Sequence, residues 1–145
     1  MKFLQGRLAS LGFRPGPPDG TFGAATASAV LAFQKREGLP RDAVAGPQVL
    51  GALRDPKGAV PRIGPMPRIE VDIARQVAFV VLPSQPVVTL NVSTGSGETY
   101  AIAGGNDIAD TPVGTFTILR KVAEIEVAPL GTLYYPMYFY RGWAL

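Results

Sequence analysis

Leu4, Leu8 and Leu11 fall at i, i+4 and i+7, one apolar stripe of a helix, while Gln5, Arg7 and Ser10 point elsewhere and Gly12 ends the pattern. The next stretch, Arg14-Pro15-Gly16-Pro17-Pro18-Asp19-Gly20, holds too much Pro and Gly for a regular element, and its Asp-Gly step favours a tight turn. A second helix is predicted from about 23 to 37, with Thr26, Ala29, Val30 and Phe33 on one face and Gly38 as its stop. After a loop over 42–47, Pro47 suits the first turn of a short third helix, 48–53. Residues 1–55 thus read as a small three-helix domain, with Phe22 and Phe33 expected in its core.

Residues 56–68 continue a Pro- and Gly-rich text without apolar period, which reads as a semi-rigid linker. Beyond it the period becomes alternating. Ile69, Val71 and Ile73 are expected on one side of a strand, with Glu70 and Asp72 on the other. A second strand is predicted over 77–82 and a third over 87–93, with Val88, Leu90 and Val92 facing inward. Further strands are expected over 115–121, 124–128 and 133–139. Short strands with frequent turns give an α+β multidomain chain whose second part, 69–145, is a mainly antiparallel β-sandwich.

Composition agrees with a folded protein: 47% of the 145 residues are hydrophobic and only 17% charged. There is no Cys and no His. That removes Cys–His and Ser–His–Asp nucleophile systems, Cys/His zinc sites and disulfides from these residues. The net charge of +3 comes from scattered Lys and Arg, so nucleic acid is not an expected partner. No apolar run approaches the roughly 18 residues of a membrane span. Met1-Lys2 leads directly into the amphipathic pattern, so no signal peptide is read here.

Several groupings bear on chemistry. Glu70 with Asp72 and Glu124 with Glu126 put carboxylates about 7 Å apart on one strand face, within glycosidase range, but a solvated face is the favoured reading. Thr94-Gly95-Ser96-Gly97 and Gly104-Gly105-Asn106-Asp107 lack the Lys and helix start of a phosphate loop and read as turns. Asp107 and Asp110 read as solvated rather than cation-binding, and no metal or cofactor is expected. The aromatic run Tyr134, Tyr135, Tyr138, Phe139, Tyr140 and Trp143 is expected to send alternate rings into a core.

The first unit resembles the peptidoglycan-binding domain found beside many wall enzymes. The residues that carry the likeness include Leu4-Gln5, Leu11-Gly12-Phe13, Asp19-Gly20-Thr21-Phe22-Gly23, Thr26, Phe33-Gln34, Gly38-Leu39, Asp42 and Gly46-Pro47. Ala43 and Val49 depart from the usual Gly and Thr. The second part resembles the L,D-transpeptidase catalytic domain, through Ile69-Glu70-Val71-Asp72, Val92-Ser93-Thr94-Gly95, Thr111-Pro112-Val113-Gly114-Thr115-Phe116 and Pro136-Met137-Tyr138-Phe139. In that family a strand like Gly142-Trp143-Ala144-Leu145 continues into His-Gly, and a later S-H-G-C-x-R segment carries the catalytic Cys; neither is present here.

The resemblance implies peptidoglycan, glycan strands and stem peptides alike, as partner, and the periplasm or cell wall as location. It also implies a variable loop over 95–110 and acyl transfer through a Cys thioester. As read, the domain stops before its nucleophile, so the chain is expected to be inactive by itself and 69–145 weakly stable alone; a non-catalytic wall-binding protein is the alternative. Tyr138 and Trp143 are the candidates for the stem-peptide groove, and Asp19 and Thr21 for a glycan groove.

Overall fold

The computed structural model describes residues 1–102, 104–128 and 131–145. They form two compact units, Met1–Thr111 and Pro112–Leu145.

The first unit opens with three helices, α1 Lys2–Ser10, α2 Ala24–Glu37 and α3 Pro47–Ala52. The predicted stripes meet: Leu4 and Leu8 of α1 bury against Ala29, Val30 and Phe33 of α2 and Val49 of α3. Phe13 and Phe33 pack edge to face with ring centroids 5.6 Å apart. The Arg36 guanidinium covers the Phe13 ring at 4.7 Å and pairs with Glu37 at 2.9 Å, so its charge is offset on both sides. Gly38 ends α2 in the left-handed conformation, as its place in the sequence predicts. Phe22 is a correction: it is 41% exposed. It lies in the loop ahead of the Gly23 N-cap, and Phe13 supplies the second ring beside Phe33.

The strands β1 Arg68–Asp72, β2 Val77–Val81 and β3 Val88–Asn91 form an antiparallel sheet in that order. Two face assignments differ from expectation. In β1, Val71 and Ile73 are half-buried but Ile69 is exposed, and Glu70 and Asp72 are half-buried too, with Arg62 and Arg68 beside Glu70 and Arg75 beside Asp72. In β3 the inward residue is Thr89, 2% exposed, and not Leu90, 37% exposed.

The reason for the second difference is the helical unit, which covers β3. Thr89 N–H donates to Gly12 O at 2.9 Å. On the same strand face, two residues along, Asn91 Oδ1 accepts from Lys35 Nζ at 2.7 Å, and Val92 O accepts from the same amine at 2.9 Å. The linker is partly docked as well, with Lys57 N–H on Glu37 Oε2 at 2.8 Å and Ala59 N–H on Arg36 O at 3.1 Å. Where a loop was expected over 95–110, β4 Thr99–Ile102 and β5 Gly105–Ile108 form a hairpin.

The second unit contains β6 Arg120–Lys121, β7 Ile125–Ala128, β8 Gly131–Tyr134, β9 Met137–Tyr140 and β10 Trp143–Ala144. β6, β9 and β10 form one antiparallel sheet around β9, and β7 and β8 form a hairpin. The strand expected over 115–121 is regular only at Arg120–Lys121. The one expected over 133–139 is broken into β8 and β9, since Tyr135 takes a positive φ of 53° and Pro136 follows without an N–H. Phe116 packs against Phe139 and Tyr140 with centroids 5.3 and 5.4 Å away.

Candidate functional site

Asp19 and Thr21 are brought together in a closed loop between α1 and α2. Gln5 Nε2 donates to Asp19 Oδ1 at 2.9 Å and to Thr21 O at 3.1 Å. In return Gly20 N–H donates to Gln5 Oε1 at 2.9 Å, and Thr21 N–H to Asp19 Oδ1 at 2.8 Å. It is thus the backbone of Thr21 that holds the loop. The Gln5 amide, then the Thr21 amide, keep the Asp19 carboxyl below its ordinary pKa.

The same arrangement recurs between α2 and α3. Gln34 Nε2 donates to Asp42 Oδ1 at 2.5 Å and to Val44 O at 3.1 Å; Ala43 N–H reaches Gln34 Oε1 at 2.8 Å and Val44 N–H reaches Asp42 Oδ1 at 2.9 Å. The Val44 amide, then Gln34, hold the Asp42 carboxyl low. Each loop runs into a glycine N-cap with extended backbone, Gly23 at φ −91° and Gly46 at φ −76°. Each also borders a groove, about 180 Å³ beside Asp19 and about 390 Å³ beside Asp42. Sequence reasoning singled out the first loop alone. The signal for the second is the shared spacing, Asp19 to Gly23 and Asp42 to Gly46, each preceded by a helical Gln.

In the second unit, Tyr138 on β9 is 8% exposed, and Arg120 lies over its ring at 4.2 Å. Arg120 also reaches both oxygens of Glu126 at 3.4 Å. Burial first, then Glu126, raises the Tyr138 phenol above its ordinary pKa. Trp143 is half-buried on β10, opposite Tyr140. Tyr134 and Tyr135 are exposed, and within β9 Tyr138 is buried, Phe139 half-buried and Tyr140 37% exposed, so the ring alternation expected of this run is not seen.

Most of the remaining carboxylates have structural partners. Glu70, Asp72 and Glu126 are paired with arginines. Asp107 Oδ1 accepts from Ile108 N–H at 2.8 Å and its Oδ2 from the Tyr100 hydroxyl at 3.4 Å, both within the β4–β5 hairpin. Among the described residues no three acidic side chains gather as a metal site would need, and no helix is long and apolar enough to cross a membrane.

Residues 1–53 match the peptidoglycan binding domain family, and the three helices with their two Gln–Asp loops are that domain. The crystal structure of the L,D-transpeptidase from Xylanimonas cellulosilytica superposes with a TM-score of 0.92 at 37% identity, covering 99% of this chain and 71% of that one. The chain belongs to the L,D-transpeptidase family. A 50-residue stretch is 44% identical to the N-acetylmuramoyl-L-alanine amidase CwlM of Mycobacterium tuberculosis; it covers 34% of this chain and 12% of that protein.

Proposed function

We propose that the helical domain attaches this chain to peptidoglycan and that the strands supply the scaffold of an L,D-transpeptidase β-sandwich, which places its work in the cell wall or periplasm. The carrying observation is the likeness to a solved L,D-transpeptidase over 99% of the chain, helices and strands together. In this reading 1–55 is the binding domain, 56–68 the connection and 69–145 the catalytic scaffold. Asp19 and Thr21 border a minor glycan contact, and Tyr138 and Trp143 serve the stem peptide.

The reaction of such a scaffold is acyl transfer. A thiolate attacks the carbonyl of the third residue of a tetrapeptide stem, terminal D-Ala leaves, backbone amides hold the tetrahedral oxyanion, and an amine of a neighbouring stem resolves the thioester. Residues 1–145 contain no Cys and no His. Their part is therefore binding and positioning, and the thiolate and its proton acceptor would come from other residues.

The same lack of Cys and His favours a second reading, a non-catalytic peptidoglycan-binding protein. Co-sedimentation with purified sacculi tests what the two readings share, and failure to sediment overturns both. Intact-mass analysis after incubation with a carbapenem is expected to show no acyl adduct on this chain; an adduct would show a nucleophile that neither reading contains.

A further inference from the structure

The two Gln–Asp loops share their bonds but differ in how their grooves are closed. Beside Asp19, Gln5 Nε2 also donates to Pro17 O at 3.1 Å, and Thr26 Oγ1 donates to Pro15 O at 2.9 Å. Those two bonds draw the segment 15–17 onto the loop. Seven residues after Asp42, where the first copy has Thr26 after Asp19, stands Val49. Thr26 and Val49 are equally buried, each 2% exposed, but Val49 has no hydroxyl to donate. Among the described residues Gln34 Nε2 donates to Asp42 and Val44, and no side-chain bond like that of Thr26 reaches the segment before Asp42. The groove there is accordingly about 390 Å³ against 180 Å³, which brings it into the range of roughly 300–1,000 Å³ typical of ligand pockets while its twin falls short.

The surface of the larger groove describes its guest. Val49, Leu39, Pro40 and Pro47 present apolar walls, which suit a methyl group. The loop's bonds to Asp42 end on Oδ1, leaving Oδ2 outside them as an acceptor for an N–H. Gln48, exposed on the rim, carries an amide that can donate to a carbonyl. Methyl, N–H and carbonyl together make a methyl-bearing secondary amide.

We propose that the groove beside Asp42, rather than its twin beside Asp19, is the principal ligand site of the helical domain, and that it takes a methyl-bearing amide of peptidoglycan. This rests on the reading that the helical domain binds peptidoglycan. Two parts of that polymer carry the chemistry: the acetamido group of its sugars and the alanyl units of its stems.

The test is a methyl-detected NMR titration of the full chain, labelled at Val and Leu, with an N-acetylglucosamine oligomer in one arm and an alanine-containing tetrapeptide in the other. Saturable shifts at Leu39, Val44 and Val49 are expected in one arm, which identifies the source. Val44 is 58% exposed, so Val44→Glu alters the rim without disturbing the core. It is expected to weaken that binding about tenfold, while Ala25→Glu in the smaller groove leaves it within about twofold. If the chain sediments with sacculi yet these methyls move in neither arm, or if Ala25→Glu is the damaging change, the assignment to this groove is wrong while peptidoglycan binding stands. If the chain does not sediment, the broader reading falls and this one with it.

Discussion

Ala43 stands in the second Gln–Asp loop where Gly20 stands in the first, and both have left-handed backbone, with φ of 58° and 94°. For Ala this region is strained by its Cβ, whereas Gly enters it freely. Ala43→Gly is therefore expected to raise stability by about 0.5–1 kcal/mol, the relief of strain exceeding the added entropy of the unfolded chain. Gly20→Ala should lower it by about the same amount, since the new Cβ meets only Lys2 at an ordinary 3.5 Å. Urea midpoints at unchanged m-value measure both.

Gly12 also has a positive φ, 87°, but its surroundings are closed. A Cβ there would be driven into the Val87 carbonyl, and Gly12 O is already bonded to Thr89 N–H. Gly12→Ala is expected to cost about 2–4 kcal/mol, strain and overpacking together. Hydrogen exchange at Thr89 should quicken, which reports the loss of this junction rather than a general loosening.

Lys35 is 6% exposed, and its pKa is lowered chiefly by that burial and further by Arg41. A base with a depressed folded pKa binds fewer protons folded than unfolded, so its contribution rises with pH until the ordinary value of 10.5 is passed. Thermal melts at increasing pH below 10.5 should show this rise in the parent and its absence in Lys35→Met. An identical pH slope in both would contradict a buried, charged amine.

Asp19 and Asp42 carry the opposite sign. Their folded pKa values lie below the ordinary 3.8, so the stability they provide is present above that pH and is lost as pH falls through the folded values. Asn at either position keeps the Oδ1 acceptor and cannot titrate. Acid unfolding of Asp19→Asn and Asp42→Asn should therefore show a shallower pH dependence just below 3.8 than the parent.

The helices were legible because the spacing of Leu4, Leu8, Val30 and Phe33 states both element and face, and glycines at 12 and 38 state the ends. The strand faces were less so. Alternation in 87–93 offers both sides, and only the docking of α2 decides that Thr89 and Asn91 face inward instead of Leu90. The break at Tyr135 is marked in the sequence only by Pro136; the positive φ of Tyr135 beside it has no marker. The first loop stood out as a candidate through Asp-Gly, whereas the second was read only as a loop over 42–47, because Ala43 replaces the glycine that would have announced the same turn. The wider groove lies beside Val49, which lacks the hydroxyl that Thr26 donates to Pro15, a contrast visible only when both copies are compared.

The bond from Lys35 to Asn91, with Gly12 against β3, turns the helical domain from a leash into a ruler. A leash concentrates every target within its radius. Helices fixed on the sheet instead hold any bound polymer at one distance and one bearing from β1–β3. Units of a repeating strand would then be presented to that sheet by their spacing along the strand, and lengthening the stretch 56–68 would leave that distance unchanged so long as the contacts of Lys35 and Gly12 hold.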